Sequence, residues 1–297
     1  MKKLFGILIL TLLTAANATN YNPQFVVDYN NCGTNPSVAT KGSVSFGTTT
    51  CAAGRVISNQ AYKNITQITA TVDLSKATST FVNHTFYMVS NPTNPTRPNS
   101  GSAYCDAGGN LTDQNCREID LFESNANAVI QTTIHTGNGG INGPQRFELA
   151  YTDTAISNPT CFDSSKMSDN PAAGSHKLAG IIDITKPVQM IVNFTYGDTP
   201  TYKVTYTQGS NSVVVYDSTV GSGYSGSGAI DMKDLITSMA NGYWIHASIW
   251  QSSPSVPYDQ QWSPGKPQGW WISTCQWGGL CGSTTSFSLS NVTVIAD

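Results

Sequence analysis

Two of the three glutamates in this 297-residue chain lie five positions apart, in Glu118-Ile119-Asp120-Leu121-Phe122-Glu123, with an aspartate between them. Glutamate is ordinarily among the commonest surface residues. A chain that scarcely uses it for solubility, yet groups two with an aspartate beside Ile, Leu and Phe, points to chemistry. Carboxylates next to apolar side chains lose solvent, and carboxylates next to one another repel. Both effects raise the pKa of one member of the group, making it a usable acid near neutrality. One ionised and one protonated carboxyl is the pair that cleavage of a glycosidic bond with retention requires. The competing reading is a solvated strand edge that happens to carry three acids, but like charges on one strand face cost stability and need a reason.

Side chains in a strand alternate, so Glu118 and Asp120 point one way and Arg117, Ile119 and Leu121 the other. Unbroken alternation would turn Glu123 to the wrong face. One extra residue near Leu121-Phe122, a β-bulge, would return it to the face of Glu118 and Asp120, so the functional reading predicts a bulge there. Four strand steps of about 3.3 Å would place Glu118 and Glu123 about 13 Å apart at Cα. Two glutamate side chains leaning inward close much of that gap towards the roughly 5–5.5 Å that retention needs between carboxyl groups. His135, in Thr132-Thr133-Ile134-His135-Thr136, belongs to what reads as the next strand. An antiparallel neighbour there would bring an imidazole near the carboxylates; a packed structural histidine is the alternative.

The elements that must position these groups read as strands throughout. Tyr202, Val204 and Tyr206 alternate with Lys203 and Thr205, and Gly209-Ser210-Asn211 offers a turn into Val213-Val214-Val215-Tyr216. Phe147–Tyr151, Met190–Phe194 and Phe287–Leu289 behave likewise. One helix is expected, where Met232, Leu235, Ile236 and Met239 follow helical spacing before Asn241-Gly242 as a stop. Many strands and one short helix imply an all-β, antiparallel β-sandwich. Gly221-Ser-Gly223-Tyr-Ser-Gly226 matches the spacing of a dinucleotide loop, but no acidic residue follows at about 20 residues and no βαβ alternation surrounds it, so it reads as a surface loop.

Residues 1–18 read as a secretory signal: Lys2 and Lys3, an apolar run from Leu4 to Leu13, and Ala16-Asn17-Ala18 as a small-x-small cleavage site. The apolar run is too short to span a bilayer. Residues 19–297 then suit a single domain, since β-sandwiches of roughly 200–250 residues or more can form one core. Seven cysteines (Cys32, Cys51, Cys105, Cys116, Cys161, Cys275 and Cys281) would be oxidised after export, with one left over. Proximity favours Cys32–Cys51, Cys105–Cys116 and Cys275–Cys281, although six cysteines already allow 15 connectivities. Five glycosylation sequons begin at Asn64, Asn83, Asn110, Asn193 and Asn291 and matter only in a eukaryotic host. Only 11% of residues are charged and the formal net charge is −3, so no basic nucleic-acid face and no membrane-binding helix is expected. A polar, uncharged, aromatic-rich surface suits a neutral polymer. All six tryptophans fall between Trp244 and Trp277. Trp262, Trp270, Trp271 and Trp277 lie among Pro, Gly and Gln, hence in loops that could offer sugar platforms. Trp244 and Trp250 share one face of a strand, and one of them is expected in the core.

Glu118-Ile-Asp-Leu-Phe-Glu-Ser-Asn125 resembles the Glu-x-Asp-x-Trp-Glu-Ala-Asn signature of glycoside hydrolase family 7, retaining cellulases with a curved, concanavalin-like β-jelly-roll. Family 16 (laminarinases and lichenases) shares the clan and the carboxylate pattern. Tyr104-Cys105-Asp106-Ala107 precedes the signature as Gly-Tyr-Cys-Asp-Ala does in family 7. Val82-Asn83-His84-Thr85-Phe86-Tyr87-Met88-Val89 is similar to its Leu-Asn-Gly-Ala-Leu-Tyr-Phe-Val strand, and Ile134-His135 stands where it has Pro-His. Gly242–Trp250, Gln261-Trp262-Ser263-Pro264 and Phe287–Val294 look like its late strand, tryptophan loop and closing strand. The resemblance implies Glu118 as nucleophile, Glu123 as acid/base and Asp120 as a hydrogen-bond partner tuning the nucleophile. Asn83, Tyr87, Tyr104, Asp106 and His135 would surround the substrate, and Trp262 would stack on a sugar. Phe122 in place of Trp, Ile134 in place of Pro, fewer cysteines and a short chain depart from the family. Without the long loops that build a tunnel, an open cleft and endo action follow. The expectation is a secreted, monomeric, retaining endo-β-1,4-glucanase that needs neither a metal nor an organic cofactor. A β-1,3 or mixed-linkage glucanase and a non-catalytic, lectin-like glucan binder are the alternatives.

Overall fold

The computed structural model describes residues 18–31, 36–47, 53–76, 83–90, 117–124, 129–136, 145–151, 176–177, 181–183, 185–219, 232–250 and 286–297. Strands 129–136, 145–151 and 176–177 are described by their backbone alone. Residues 1–17, where the signal is expected, all seven cysteines, residues 221–226, and Trp262, Trp270, Trp271 and Trp277 lie outside the described residues.

Two sheets face each other. The first runs in the order β1 (Thr19–Tyr21), β15 (Ser286–Ala296), β5 (Gln67–Asp73), β11 (Val188–Thr195), β12 (Thr201–Gln208), β13 (Asn211–Asp217), with β3 (Val44–Gly47) also paired to β15. The second runs β10 (His176–Lys177), β9 (Gln145–Tyr151), β8 (Val129–Thr136), β7 (Arg117–Ser124), β6 (Asn83–Ser90), β14 (Tyr243–Trp250), β4 (Ala53–Ser58), β2 (Phe25–Asn31). Every pairing is antiparallel except that of β9 with the two-residue β10. The chain crosses from one sheet to the other at every step from β1 to β6, and again between β10 and β11, β13 and β14, and β14 and β15, as strands of a jelly roll do. This is the antiparallel sandwich expected from the sequence.

Period-two sequence produces these strands directly. In β11, Val188, Met190, Val192 and Phe194 are buried while Gln189, Ile191, Asn193 and Thr195 face outward. In β12 the buried set is Tyr202, Val204 and Tyr206, and Gly209, at φ 60, supplies the left-handed residue of the tight turn into β13. The outer face of this sheet is held by polar cross-strand pairs such as Thr69 with Thr293 at 2.7 Å and Gln67 with Asn193 at 2.9 Å. Between the sheets, Phe287 of β15 stacks on Phe46 of β3 at 6.1 Å and on Phe122 of β7 at 6.0 Å. Phe122 also meets Tyr206 of β12 edge-on at 6.5 Å. Phe122 is therefore a bolt through the sandwich, and aromatic contacts of this kind add about 0.5–1.5 kcal/mol to the burial itself.

The helix also forms. Helix α1 spans Met232–Ser238 and tightens into a 3-10 turn at Met239–Asn241, burying Leu235, Ile236 and Met239. Gly242, at φ 95, ends it and leads into β14. Asp234 of α1 forms a two-pronged ion pair with Arg117, the residue before Glu118, at 2.7–3.0 Å. The Arg117 amide donates to Ser90 Oγ at 2.8 Å. The start of β7 is thus fastened on two sides.

Candidate active site

Strand β7 carries the carboxylates, and its register contains the irregularity on which their arrangement depends. On the β6 side, Val89 pairs with Glu118, Met88 with Ile119 and Tyr87 with Asp120, but the next partners are Phe86 with Phe122 and Thr85 with Glu123. On the β8 side, Asp120 pairs with Thr133 and Glu123 with Gln131. Both neighbours count four residues from the partner of Glu118 to the partner of Glu123, whereas β7 uses five. The surplus residue lies at Leu121-Phe122, where the sequence predicts the bulge. An even number of steps on both flanks puts Glu118, Asp120 and Glu123 on one face.

The local sequence forces this outcome. Ile119, Leu121 and Phe122 are all buried in the intersheet core, the last two at 0% and 1% exposure although adjacent in sequence. A regular strand would push either Leu121 or Phe122 onto the polar face, forfeiting about 2 kcal/mol of burial. With Leu121 kept inside, it would also turn Glu123 inward, and an unpaired charge in a core costs several kcal/mol. A bulge avoids both penalties at the loss of local ladder hydrogen bonding.

Three rows cross the outer face of the eight-stranded sheet. Trp244, Val89 and Glu118 form one, with His135 the register partner of Glu118 on β8. Ile57, His246, Tyr87 and Asp120 form the next. Arg55, Ser248, Thr85 and Glu123 form the third. Glu118 and Asp120 are buried at 8% and 6% exposure, while Glu123 is half-buried. The more sheltered glutamate suits a nucleophile held in place, and the more open one suits proton exchange with a leaving group and with water.

The groups around them are tightly ordered. Tyr87 stacks on His246 at 4.9 Å with their planes 13° apart. Burial raises the Tyr87 phenol above its ordinary pKa; Arg55 opposes the shift and the Glu118 and Asp120 charges reinforce it. Burial, then the Arg55 charge, pushes the His246 imidazole well below its ordinary value, so it is neutral near pH 7. Ser248 hydrogen-bonds the Tyr87 side chain, and its hydroxyl also hydrogen-bonds that of Thr85. Arg55 donates to Asp28 Oδ2 through Nε and a terminal nitrogen, each at 2.6 Å, and the Asp28 side chain is 1% exposed. Trp244 packs on Ile57, with Val26 and Ala61 against them, outside the main core.

Of the residues expected from the sequence, Glu118, Asp120, Glu123 and Tyr87 come together on this face. Asn83 lies on β6 opposite Trp250, and His135 sits on β8 opposite Glu118; only the backbone of these two is described. Tyr104, Asp106 and Trp262 lie outside the described residues. Tyr87 is buried under the face at 5% exposure and stacks on His246 rather than offering an open ring. Sequence reasoning overlooked Thr85, His246, Ser248 and Arg55. The signal was present in the alternation: Thr85 shares a face with Tyr87, and His246 and Ser248 lie between Trp244 and Trp250 on the same period-two set.

No family model matches the sequence, and no curated protein is similar enough in sequence to match it. Solved structures do resemble the fold. A family 7 cellobiohydrolase from Daphnia pulex aligns at a TM-score of 0.49 and 17% identity, over 88% of this chain and 80% of that one. Native endocellulase EGI from Humicola insolens aligns at 0.48 and 13% identity, over 86% and 76%. The kappa-carrageenase of Pseudoalteromonas carrageenovora, in complex with an oligotetrasaccharide of kappa-carrageenan, aligns at 0.44 and 13% identity, over 97% and 99%. At such identities and TM-scores the likeness is one of overall outline and carries no residue roles with it.

Proposed function

We propose that this chain is a retaining glycoside hydrolase, a secreted endo-β-1,4-glucanase acting through a glycosyl-enzyme intermediate. The observation that carries the reading is the bulge at Leu121-Phe122, which brings Glu118, Asp120 and Glu123 onto one outward face of the eight-stranded sheet. Glu123, half-buried, protonates the leaving oxygen while Glu118 attacks the anomeric carbon. Asp120 hydrogen-bonds and orients the nucleophile. Water then enters, Glu123 removes its proton, and the sugar leaves Glu118 with its original anomeric configuration.

The test uses the exported chain on carboxymethyl cellulose, lichenan and laminarin, with release of reducing ends as the readout and proton NMR to identify the first anomer formed. Glu118→Gln and Glu123→Gln are each expected to abolish hydrolysis while leaving the thermal transition in place, and the wild type is expected to release the β-anomer. Near-wild-type turnover in either variant sinks the assignment, as does initial release of the α-anomer. The substrate panel also separates β-1,4 from β-1,3 and mixed-linkage cleavage. Binding without turnover on all three polymers would make the chain a lectin-like domain instead.

A further inference from the structure

We infer that Thr85 and Ser248 are positioning residues for this reaction, forming with Tyr87 a chain of three hydroxyls beneath the carboxylate face that joins the row of Asp120 to the row of Glu123. The inference rests on the glycosidase reading and adds two residues to it that the family resemblance does not supply, since Thr85 stands where family 7 has alanine. Thr85 is the direct register partner of Glu123, and Tyr87 that of Asp120. Ser248 on β14 is the register partner of Thr85 and hydrogen-bonds both the Thr85 hydroxyl and the Tyr87 side chain. Directly opposed residues on one face hold their Cβ atoms about 4.5–5.5 Å apart, so the chain lies against both ends of the carboxylate group. Thr85, Ser248 and Tyr87 are buried at 3%, 7% and 5% exposure, where hydroxyl hydrogen bonds are stronger and polarise one another.

The Thr85 and Ser248 hydroxyls share one hydrogen bond that either can donate, and Ser248 in turn hydrogen-bonds the Tyr87 side chain. Glu118 and Asp120 are the carboxylates whose charge Tyr87 feels. The other groups facing it are Arg55 from β4 and neutral His246 from β14, the second of which fixes the ring by stacking. A hydroxyl chain held at the register positions opposite Asp120 and Glu123 favours ionised carboxylates beside it and keeps the nucleophile ready at the lower end of the working pH range. Its loss should move the acid limb of the pH profile, which reports ionisation of the nucleophile, to higher pH.

Thr85→Val removes the hydroxyl at nearly constant shape, Ser248→Ala removes the middle link, and Thr85→Ser keeps the hydroxyl. The first two are expected to lower kcat about tenfold, about 1.4 kcal/mol of barrier, with KM within about twofold and the acid limb moved a few tenths of a unit upward. Thr85→Ser should restore both. In a Tyr87→Phe background, Thr85→Val should add nothing, because the chain is already broken. An unchanged kcat and acid limb in Thr85→Val, a KM rise at constant kcat, or full additivity with Tyr87→Phe overturns the inference. Carbon-13 NMR titration of the Glu118 carboxyl decides the same point without turnover. A raised Glu118 pKa in Thr85→Val supports the chain and an unchanged one refutes it, even if the wild type hydrolyses no glucan and the glycosidase reading fails.

Discussion

The bulge in β7 makes a quantitative demand on two neighbouring residues. In a regular strand Leu121 and Phe122 face opposite ways, so truncating one of them removes core packing and truncating the other removes a surface side chain, which ordinarily changes stability by no more than about 0.5 kcal/mol. With the bulge both lie in the core, at 0% and 1% exposure, and Phe122 stacks on Phe287 and meets Tyr206 edge-on. Leu121→Ala should then cost about 2–5 kcal/mol and Phe122→Ala about 3–5 kcal/mol. Glu123→Gln, on the outward face, should cost under about 0.5 kcal/mol. The assay is equilibrium urea unfolding followed by tryptophan fluorescence, with the slope against urea held constant as the check that only stability changed. From the middle of the usual range, about 10 kcal/mol, each single variant stays folded in water. A cost below about 1 kcal/mol for either Leu121→Ala or Phe122→Ala, or a core-sized cost for Glu123→Gln, would refute the bulge and, with it, the shared face of the carboxylates.

Two further consequences concern charge. His246 is buried neutral with its pKa depressed, so the unfolded chain takes up a proton below about pH 6.5 that the folded chain refuses. Protons bound in excess by the unfolded state make stability rise with pH. The wild type should therefore lose up to about 1.4 kcal/mol per unit as pH falls from about 6.5 towards the depressed value. His246→Phe, which keeps the stack on Tyr87, should lack this component; parallel losses in urea unfolding at pH 7.5, 5.5 and 4.5 would contradict it. The two arginine pairs should behave differently. Arg55→Met strands the Asp28 carboxylate, 1% exposed, and should cost about 3–5 kcal/mol. Arg117→Met releases Asp234, which is half exposed, and should cost under about 1 kcal/mol. Melting temperatures at equal salt give the ranking, and the reverse order would show that burial does not govern these pairs.

Much of the framework was legible because period-two burial is written into the sequence one residue at a time. Val188 to Thr195 and Thr201 to Gln208 alternate without a fault; Gly209 marks the turn after the second, and Gly242 the end of the helix, with backbone angles that other residues adopt at a cost. The bulge is expected only because the functional reading needs Glu123 on the face of Glu118 and Asp120; the physical reason it forms is the apolar pair Leu121-Phe122, both buried, since a core will not accept Glu123 in exchange for Phe122. What remained hidden was pairing between distant strands. Nothing in Tyr243–Trp250 announces that Ser248 will stand beside Thr85, more than 160 positions away, because register between distant strands is fixed by how whole sheets pack. Hence Tyr87 was identified from its local motif, while its partners His246 and Ser248 were not.

Under the proposed function the same six residues serve folding and chemistry through different atoms, and the two roles can be separated by substitution. Leu121 and Phe122 face the core and contribute stability; Glu118, Asp120 and Glu123 face outward and, in the proposed reaction, contribute reactivity; the bulge couples them, since the apolar pair can both be buried only if Glu123 turns out. Conservative replacement of a carboxylate should leave the fold intact and remove turnover. Truncation of Phe122 should weaken the fold while leaving turnover measurable at low temperature, because the register that orients Glu123 is also held by Arg117 and by the pairings with β6 and β8. Phe122, where family 7 carries tryptophan, fits this logic. Its ring lies parallel to Phe287 within 2°, and a larger indole would have to displace that stack at a cost of about 1–3 kcal/mol for overpacking.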